Sequence, residues 1–290
     1  MSAISLDLIA VPWDVERGDT GAARAPGELT ARGFPSRLRA TGREVREITV
    51  RPGNEGSPKA ELVAEIGQGI ARAVAQARAQ GRFPLVLSGG CLAAVGVVAG
   101  LQSLGEDPAV VWIDAHGDFN TPESSPSGYW DGMALATVCG VSLAELREAV
   151  GLKPLAVDRA VHLAGRAFDP LETANIRRHG LERIAVSELA SPEARQRLRH
   201  RAGAGGWYLH VDLDGLDPRD APAVGFPEPA GVRLEDLLEA LGPLPPPAAM
   251  TFSALSFDGN PGVTDEEAER TLAACLRLAE AFARKAKSGR

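Results

Sequence analysis

Short apolar runs alternate with longer amphipathic segments along the whole chain of 290 residues. This alternation is typical of βαβ units, in which successive strands lie parallel and helices connect them. In several of the apolar runs, apolar and polar residues do not alternate. Such continuous runs indicate strands that are buried on both faces. The pattern therefore predicts an α/β fold in which helices cover both sides of a parallel sheet.

The predicted elements are distributed over the full length of the chain. Strands are predicted at 4–11, 44–50, 84–87, 109–114, 160–164, 207–212 and 248–253. Helices are predicted at 59–80, 92–101, 133–139, 144–150, 171–179, 192–200, 233–241 and 265–287. The turn-rich segments between them are too short for a domain linker, and we find no internal repeat. Residues 1–290 are therefore predicted to form a single domain.

Charge and cysteine content exclude several classes of protein. The net charge is −7, whereas phosphate contacts need clustered Lys and Arg, so no nucleic-acid partner is expected. No apolar run approaches the roughly 20 residues of a membrane span, so no membrane partner is expected. Three cysteines, Cys91, Cys139 and Cys275, are too few and odd in number for a disulfide framework. They indicate a reducing, cytoplasmic environment.

Two pairs of carboxylates follow predicted strands. Asp114 and Asp118, with His116 between them, end one strand, and Asp212 and Asp214 end another. In open parallel sheets, ligands bind beyond the carboxyl ends of the strands. One such pair alone is more typical of a helix cap or a turn. Two pairs of carboxylates at one edge repel each other, and a bound cation would offset this repulsion. Ligation by both Asp and His suits Mn, Fe, Co or Zn.

The same segments carry a resemblance to a known family. Residues 114–122 (DAHGDFNTP) and 212–218 (DLDGLDP) resemble the two signature motifs of the ureohydrolases, which include arginases, agmatinases and formiminoglutamases. Residues 21–29 (GAARAPGEL) and 257–261 (FDGNP) are similar to two further segments of that family. The resemblance implies a three-layer α/β/α sandwich with a mainly parallel, eight-stranded sheet. It also implies two Mn²⁺ ions, a shared hydroxide that attacks a guanidinium carbon, and a homotrimer or homohexamer.

Six metal ligands are implied by the resemblance. Asp114 and Asp212 match the bridging carboxylates, His116 and Asp214 complete one metal, and Asp118 belongs to the other. Cys91 takes the position of a metal-binding histidine within residues 88–92 (SGGCL). A coordinated thiol loses its proton, so Cys91 is predicted as a thiolate ligand. The other interpretation is a small buried hydrophobic residue beside a weakened metal position.

Catalytic and substrate residues are also implied, and here the sequence departs from the family. Asp131 replaces a proton-transferring histidine and needs a raised pKa for that work. Asp258 replaces the guanidinium-binding glutamate and is one methylene shorter. Phe226 replaces a threonine near the site. Asn120 and Ser127 match positions that hold the substrate α-carboxylate, and Asp169 and Glu172 match positions that hold the α-ammonium. Ordinary loop capping is the other interpretation of these last four residues. His162 and His210 lie on predicted strands and are expected to be core residues.

Three functional hypotheses follow. The leading one is a binuclear-metal hydrolase that cleaves a C–N bond of a guanidino amino acid, with a modified guanidine such as N-hydroxyarginine favoured over arginine. The second is hydrolysis of agmatine, guanidinobutyrate or formiminoglutamate. The third is a degenerate, non-catalytic member that serves as a binding or regulatory protein.

Overall fold

The computed structural model describes residues 5–14, 21–203, 206–257 and 262–283. Its strands are β1 (Ser5–Val11), β2 (Glu44–Thr49), β3 (Phe83–Ser88), β4 (Ala109–Ile113), β5 (Ala160–Leu163), β6 (Glu182–Ile184), β7 (Trp207–Asp212) and β8 (Ala249–Ser253). Its helices are α1 (Gly21–Ala31), α2 (Phe34–Ala40), α3 (Lys59–Ala79), α4 (Ala93–Gln102), α5 (Ala134–Val138), α6 (Ala144–Val150), α7 (Pro170–His179), α8 (Pro192–Gly203), α9 (Leu234–Leu241) and α10 (Asp265–Phe282). None of the helices in these ranges combines the length and apolarity needed to cross a bilayer.

All eight strands form one sheet in the order β2-β1-β3-β8-β7-β4-β5-β6. Every pair of neighbouring strands is parallel. The carboxyl ends of the four central strands, β3, β8, β7 and β4, therefore meet at one edge of the sheet. This is the position at which open α/β sheets bind ligands.

Two hydrophobic cores cover the two faces of the sheet. Helices α1, α2, α8, α9 and α10 contribute buried residues such as Leu29, Leu198 and Leu272 to one core. Helices α3 to α7 contribute residues such as Ile70 and Val98 to the other. The continuous apolar character of β3 and β4 follows from this arrangement, since both strands are buried along their whole length. The expected three-layer α/β sandwich with a parallel sheet is confirmed.

The predicted elements match the structure closely, with three omissions. Each predicted strand is present to within one residue at each end, and each predicted helix is present, although α8 ends later and α10 earlier than predicted. Strand β6 was missed because it has only three residues. Helix α1 was missed because Pro26 and Gly27 lie inside it, and both residues disfavour helix interiors. Helix α2 is the third omission, and it has only seven residues.

Candidate metal centre

The loop after β4 holds Asp114 from two sides. One carboxylate oxygen accepts a hydrogen bond from the His116 main-chain N–H at 2.7 Å, and the other accepts one from the Trp112 indole at 3.0 Å. Further along the loop, Asp118 adopts a left-handed backbone conformation with φ of 49°, which aspartate tolerates better than most residues. Asp118 lies near enough for the charges of Asp114 and Asp212 to act on it, so the loop brings a second carboxylate to the same edge of the sheet.

The loop after β7 interlocks with the loop after β4. Asp212 Oδ1 accepts the Asp214 main-chain N–H at 3.0 Å, and Asp214 Oδ1 accepts the Ala115 main-chain N–H at 3.1 Å. Gly215 permits this approach, since a Cβ there would lie 2.7 Å from the Asp114 nitrogen. The two acidic motifs of the sequence are thus in direct contact.

Two groups of side chains in this cluster have the spacing of metal ligands. Cys91, Asp114 and Asp212 form one group, and Asp114, His116 and Asp214 form the other, with ligand atoms within 4.8 Å of one another in each. Asp114 belongs to both groups. The structure therefore brings together five of the six side chains that were predicted as ligands.

Cys91 lies in the turn between β3 and α4 and is 4% exposed. Its Sγ donates to Asp212 Oδ2 at 3.1 Å and lies 3.2 Å from Ser253 Oγ. Burial, with the negative charge of Asp212 next in importance, raises the pKa of the thiol well above its usual range. A divalent cation reverses this effect, because a coordinating thiol is deprotonated outright.

Burial and mutual repulsion also raise the pKa values of the aspartates in this cluster. Burial, followed by the charges of neighbouring aspartates, raises the pKa of Asp118 and Asp212 well above the usual range and that of Asp114 to about 6. Burial opposes the imidazolium form of His116, but hydrogen bonds to Asp114 and Asp214 outweigh it and raise its pKa to about 12. With all of its carboxyl groups ionised, the cluster would therefore hold more buried negative charge than His116 balances.

The sixth predicted ligand supplies a direct test of whether a cation fits. Asp118 is 6% exposed, and its Oδ2 atom is buried with no hydrogen-bond partner among the described residues. A buried carboxylate oxygen without a hydrogen-bond donor is costly unless a cation binds it. Carboxylate, imidazole and thiol donors together suit a divalent transition metal. The donor set, the spacing and the unpartnered oxygen all fit a metal centre.

Of the two residues predicted to be catalytic, one can be located. Asp131 is buried beside the Cys91 turn, and its Oδ1 accepts the Leu92 main-chain N–H at 2.8 Å. Gly90 leaves the space for it, because a Cβ there would lie 2.3 Å from an Asp131 carboxylate oxygen. Asp258 lies outside the described residues.

Four of the five predicted substrate residues can be located, and hydrogen bonds connect three of them. Asn120 Nδ2 donates to Asp169 Oδ2 at 2.9 Å, which joins the two ends of the proposed amino-acid site. Ser127 is exposed on the loop after Asn120. Glu172 is buried, and its two oxygens accept the main-chain N–H groups of Phe119 and Asp169. Its direct contact with a substrate stays a prediction.

Several residues that support the cluster were not predicted from the sequence. The Trp112 indole fixes Asp114, and the Ser253 hydroxyl contacts Cys91. The Arg166 guanidinium donates to main-chain carbonyls on three segments, including that of Asp214. The Phe226 ring lies edge-on to the His116 ring, with centroids 6.2 Å apart. Of these four residues, only Phe226 had been named from the sequence, as a replacement near the site.

Comparisons with known proteins agree with the geometry. The family model described as Arginase family matches residues 5–257. Arginase from Bacillus caldovelox is 32% identical over 298 residues, covering 97% of this chain and 98% of that protein. Arginase from Bacillus subtilis is 30% identical and covers 79% of this chain and 81% of its own. The crystal structure of arginase from Bacillus cereus superposes with a TM-score of 0.83 at 28% identity, covering 98% of this chain and 100% of that one.

Proposed function

The chain belongs to the arginase family, and from this premise we propose that it is a binuclear-metal hydrolase that cleaves a C–N bond of a guanidino amino acid. The observation that carries the proposal is the pair of ligand groups that share Asp114. A carboxylate common to two three-ligand groups is suited to bridge two cations. Asp212, which contacts both Cys91 and the Asp214 backbone, is proposed as the second bridge.

In this proposal Cys91, Asp114, Asp118 and Asp212 would hold the first cation, and Asp114, His116, Asp212 and Asp214 would hold the second. Two Mn²⁺ ions are proposed, with other divalent transition metals as substitutes. Two such ions lower the pKa of a shared water, so that hydroxide is available near neutral pH. The Trp112 indole and the His116 main-chain N–H keep Asp114 in one orientation for this role.

The protein residues around the cluster would bind and orient the substrate. Asn120 and Asp169, joined by their hydrogen bond, are proposed to face the α-carboxylate and α-ammonium of an amino acid. Asp131, held by the Leu92 main-chain N–H, is proposed to accept a hydrogen bond from the guanidino group when it is ionised. Asp258 is proposed to pair with the cationic head group, and its shorter side chain leaves room for a substituent.

A modified guanidine such as N-hydroxyarginine is the favoured substrate. A thiolate ligand adds a further negative charge to the cluster, and its metal-bound water should therefore be less acidic than in an all-Asp/His site. The histidine expected to transfer protons is replaced by Asp131. A hydroxylated guanidine is less basic and more readily attacked than arginine. Its hydrolysis therefore depends less on an acidic metal-bound water and on a proton-transferring histidine.

Two measurements on the full-length protein test the proposal. Metal analysis after incubation with Mn²⁺ and removal of free ions should find about two divalent ions per chain. About one or fewer overturns the binuclear centre, and no bound ion favours a non-catalytic binding protein. Release of hydroxyurea from N-hydroxyarginine should be faster than release of urea from arginine. Faster turnover of arginine overturns the substrate preference but leaves the hydrolase proposal intact.

A substitution in the amino-acid site separates amino-acid substrates from agmatine. Asn120→Ala removes the proposed partner of the α-carboxylate and should raise KM for arginine-like substrates. Agmatine keeps the ammonium that Asp169 is proposed to face but lacks this carboxylate, so its turnover in the wild-type protein should be much lower. Efficient agmatine turnover that Asn120→Ala leaves unchanged would assign the chain to the agmatinases instead.

A further inference from the structure

We propose that Ser253 and His210 are positioning residues that hold the Cys91 sulfur in its ligand orientation. The inference rests on the proposed role of Cys91 as a metal ligand and extends it to two residues outside the ligand set. Neither residue is part of the motifs in the sequence, and His210 was expected only to fill the core.

The two strands that carry these residues are neighbours in the sheet. In the parallel pairing of β7 with β8, Asp212 lies opposite Ser253 and His210 lies opposite Thr251. Side chains two residues apart on a strand point to the same face. Ser253 and His210 therefore project to the face that also receives the Asp212 side chain, toward Cys91.

A continuous chain of polar contacts starts at the sulfur. Ser253 Oγ lies 3.2 Å from Cys91 Sγ and 3.1 Å from His210 Nε2. His210 Nδ1 lies 2.9 Å from the Tyr208 hydroxyl oxygen, which lies 2.7 Å from Thr251 Oγ1. Ser253, His210, Tyr208 and Thr251 are all 0% exposed. Each of the four side chains has at least one hydrogen-bonding partner in this series, so none of them can rotate freely.

Such a chain is expensive to maintain inside a core. The intervening residues Leu209, Val211 and Phe252 are apolar and fully buried, and apolar residues would fill the polar positions at lower cost. Buried polar groups are tolerated only when they are hydrogen-bonded. A fully connected chain that ends on Cys91 is therefore better explained by a task at the sulfur than by stability alone.

His210 also links the sulfur to the shared carboxylate. Its ring stacks on Trp112 at a centroid distance of 3.6 Å and an interplanar angle of 10°. The same indole donates to Asp114 Oδ2. One stacked pair of rings therefore supports two proposed ligands of the first cation, Cys91 through Ser253 and Asp114 through Trp112.

The chemistry of the contact suits a bound thiolate. When His210 Nε2 carries the ring proton and donates to Ser253 Oγ, the Ser253 hydroxyl is free to donate to a sulfur that has lost its own proton. Partners of this kind fix the orientation of a ligand and tune its metal, and losing one costs about 10–100-fold in metal affinity. The structure thus assigns Ser253 to contact the sulfur and His210 to hold Ser253.

Cobalt(II) provides a readout other than activity, because a thiolate bound to Co²⁺ gives a charge-transfer absorption in the near ultraviolet. The variants are Ser253→Ala, which removes the contact, and His210→Phe, which keeps an aromatic ring against Trp112 but removes both nitrogens. Ser253→Thr restores a hydroxyl and serves as the rescue variant. Ser142→Ala is the matched control, since Ser142 is buried and its hydroxyl has no hydrogen-bond partner within the described part of the chain.

We expect Ser253→Ala and His210→Phe to shift or weaken the absorption and to lower Co²⁺ affinity by about 10-fold or more. Ser253→Thr and Ser142→Ala should remain close to wild type, and circular dichroism checks that each variant is folded. If the wild-type band is present and both first variants match Ser142→Ala, the positioning role is overturned while Cys91 remains a ligand. If wild type and Cys91→Ser show the same spectrum, Cys91 is not a metal ligand. The positioning role then fails together with the assignment of Cys91 to the metal centre.

Discussion

Arg166 Nη2 donates a 2.7 Å hydrogen bond to the main-chain carbonyl oxygen of Asp214. The same guanidinium donates to the main-chain oxygens of Ala164, Glu228 and Pro229. Arginine alone offers five N–H donors in a fixed planar arrangement. A single side chain therefore joins the end of β5, the loop with the second acidic motif and the segment that follows Phe226.

Replacing Arg166 should loosen the second half of the metal centre. Arg166→Lys leaves some of these carbonyls without donors, which should lower the free energy of unfolding by about 1–3 kcal/mol. It should also reduce the occupancy of the ion assigned to His116 and Asp214. Urea denaturation of the metal-free protein and metal analysis measure the two effects.

A surface arginine provides the control for this substitution. Arg277 pairs with Glu235 between α10 and α9, and both side chains are substantially exposed. Arg277→Lys should change stability by less than about 1 kcal/mol and leave metal content unchanged. Equal effects of the two substitutions would contradict the role given to Arg166.

Cys91→His should change which metal the protein prefers. A thiolate favours softer ions such as Zn²⁺, whereas imidazole and carboxylate ligands accommodate Mn²⁺. The variant should therefore bind Mn²⁺ more tightly relative to Zn²⁺, by about tenfold, in competition titrations. Cys275→Ala is the control, since Cys275 is buried in α10, on the opposite face of the sheet from Cys91. An unchanged metal ratio in Cys91→His would place Cys91 outside the centre.

Metal affinity should rise with pH. Protons compete with the cations for two of the ligands. Burial lowers the pKa of His116, but hydrogen bonding to Asp114 and Asp214 outweighs it and raises that pKa to about 12. Burial raises the pKa of Asp114 to about 6. Both groups must be deprotonated to bind metal. Calorimetric titration with Mn²⁺ at about pH 6 and about pH 8 should show tighter binding at the higher value, with net proton release. Affinity that is independent of pH would contradict the assignment of His116.

The acidic motifs could be placed from the sequence because the fold brings together the ends of parallel strands. Once β4 and β7 are recognised as buried strands, Asp114 and Asp212 must lie at the same edge of any shared parallel sheet. The contacts of Cys91 could not be placed in this way. They depend on β8 lying between β3 and β7, and strand order is not contained in the local pattern of any one segment.

Long-range hydrogen bonding is a second limit on prediction from sequence. His210 reads as one more residue of a buried strand, and it is fully buried in the structure. Its contact with Ser253 crosses 43 positions of the chain. Arg166 likewise reaches carbonyls 48 and 62 positions away. No periodicity or spacing carries such information, so these supporting residues appear only when the strands are placed side by side.

Asp118→Asn should stabilise the metal-free protein while impairing metal binding. Burial first, then the charges of Asp114 and Asp212, raise the pKa of Asp118 well above its usual range. The folded state therefore holds this proton more tightly than the unfolded state, and wild-type stability falls as pH rises above about 4. A neutral amide removes that loss, and asparagine tolerates the left-handed backbone at this position.

The test of Asp118→Asn combines stability with metal content. In the presence of a chelator, the variant should gain about 1–2 kcal/mol over wild type near pH 8 and little near pH 4, while losing about one ion per chain. Asp217→Asn is the control with the opposite sign, because Arg219 lowers the pKa of Asp217 to about 2. That variant should lose a little stability and keep its metal. Loss of both stability and metal in Asp118→Asn would show that the carboxylate has a structural partner, and the argument that its unpaired oxygen faces a cation would fail.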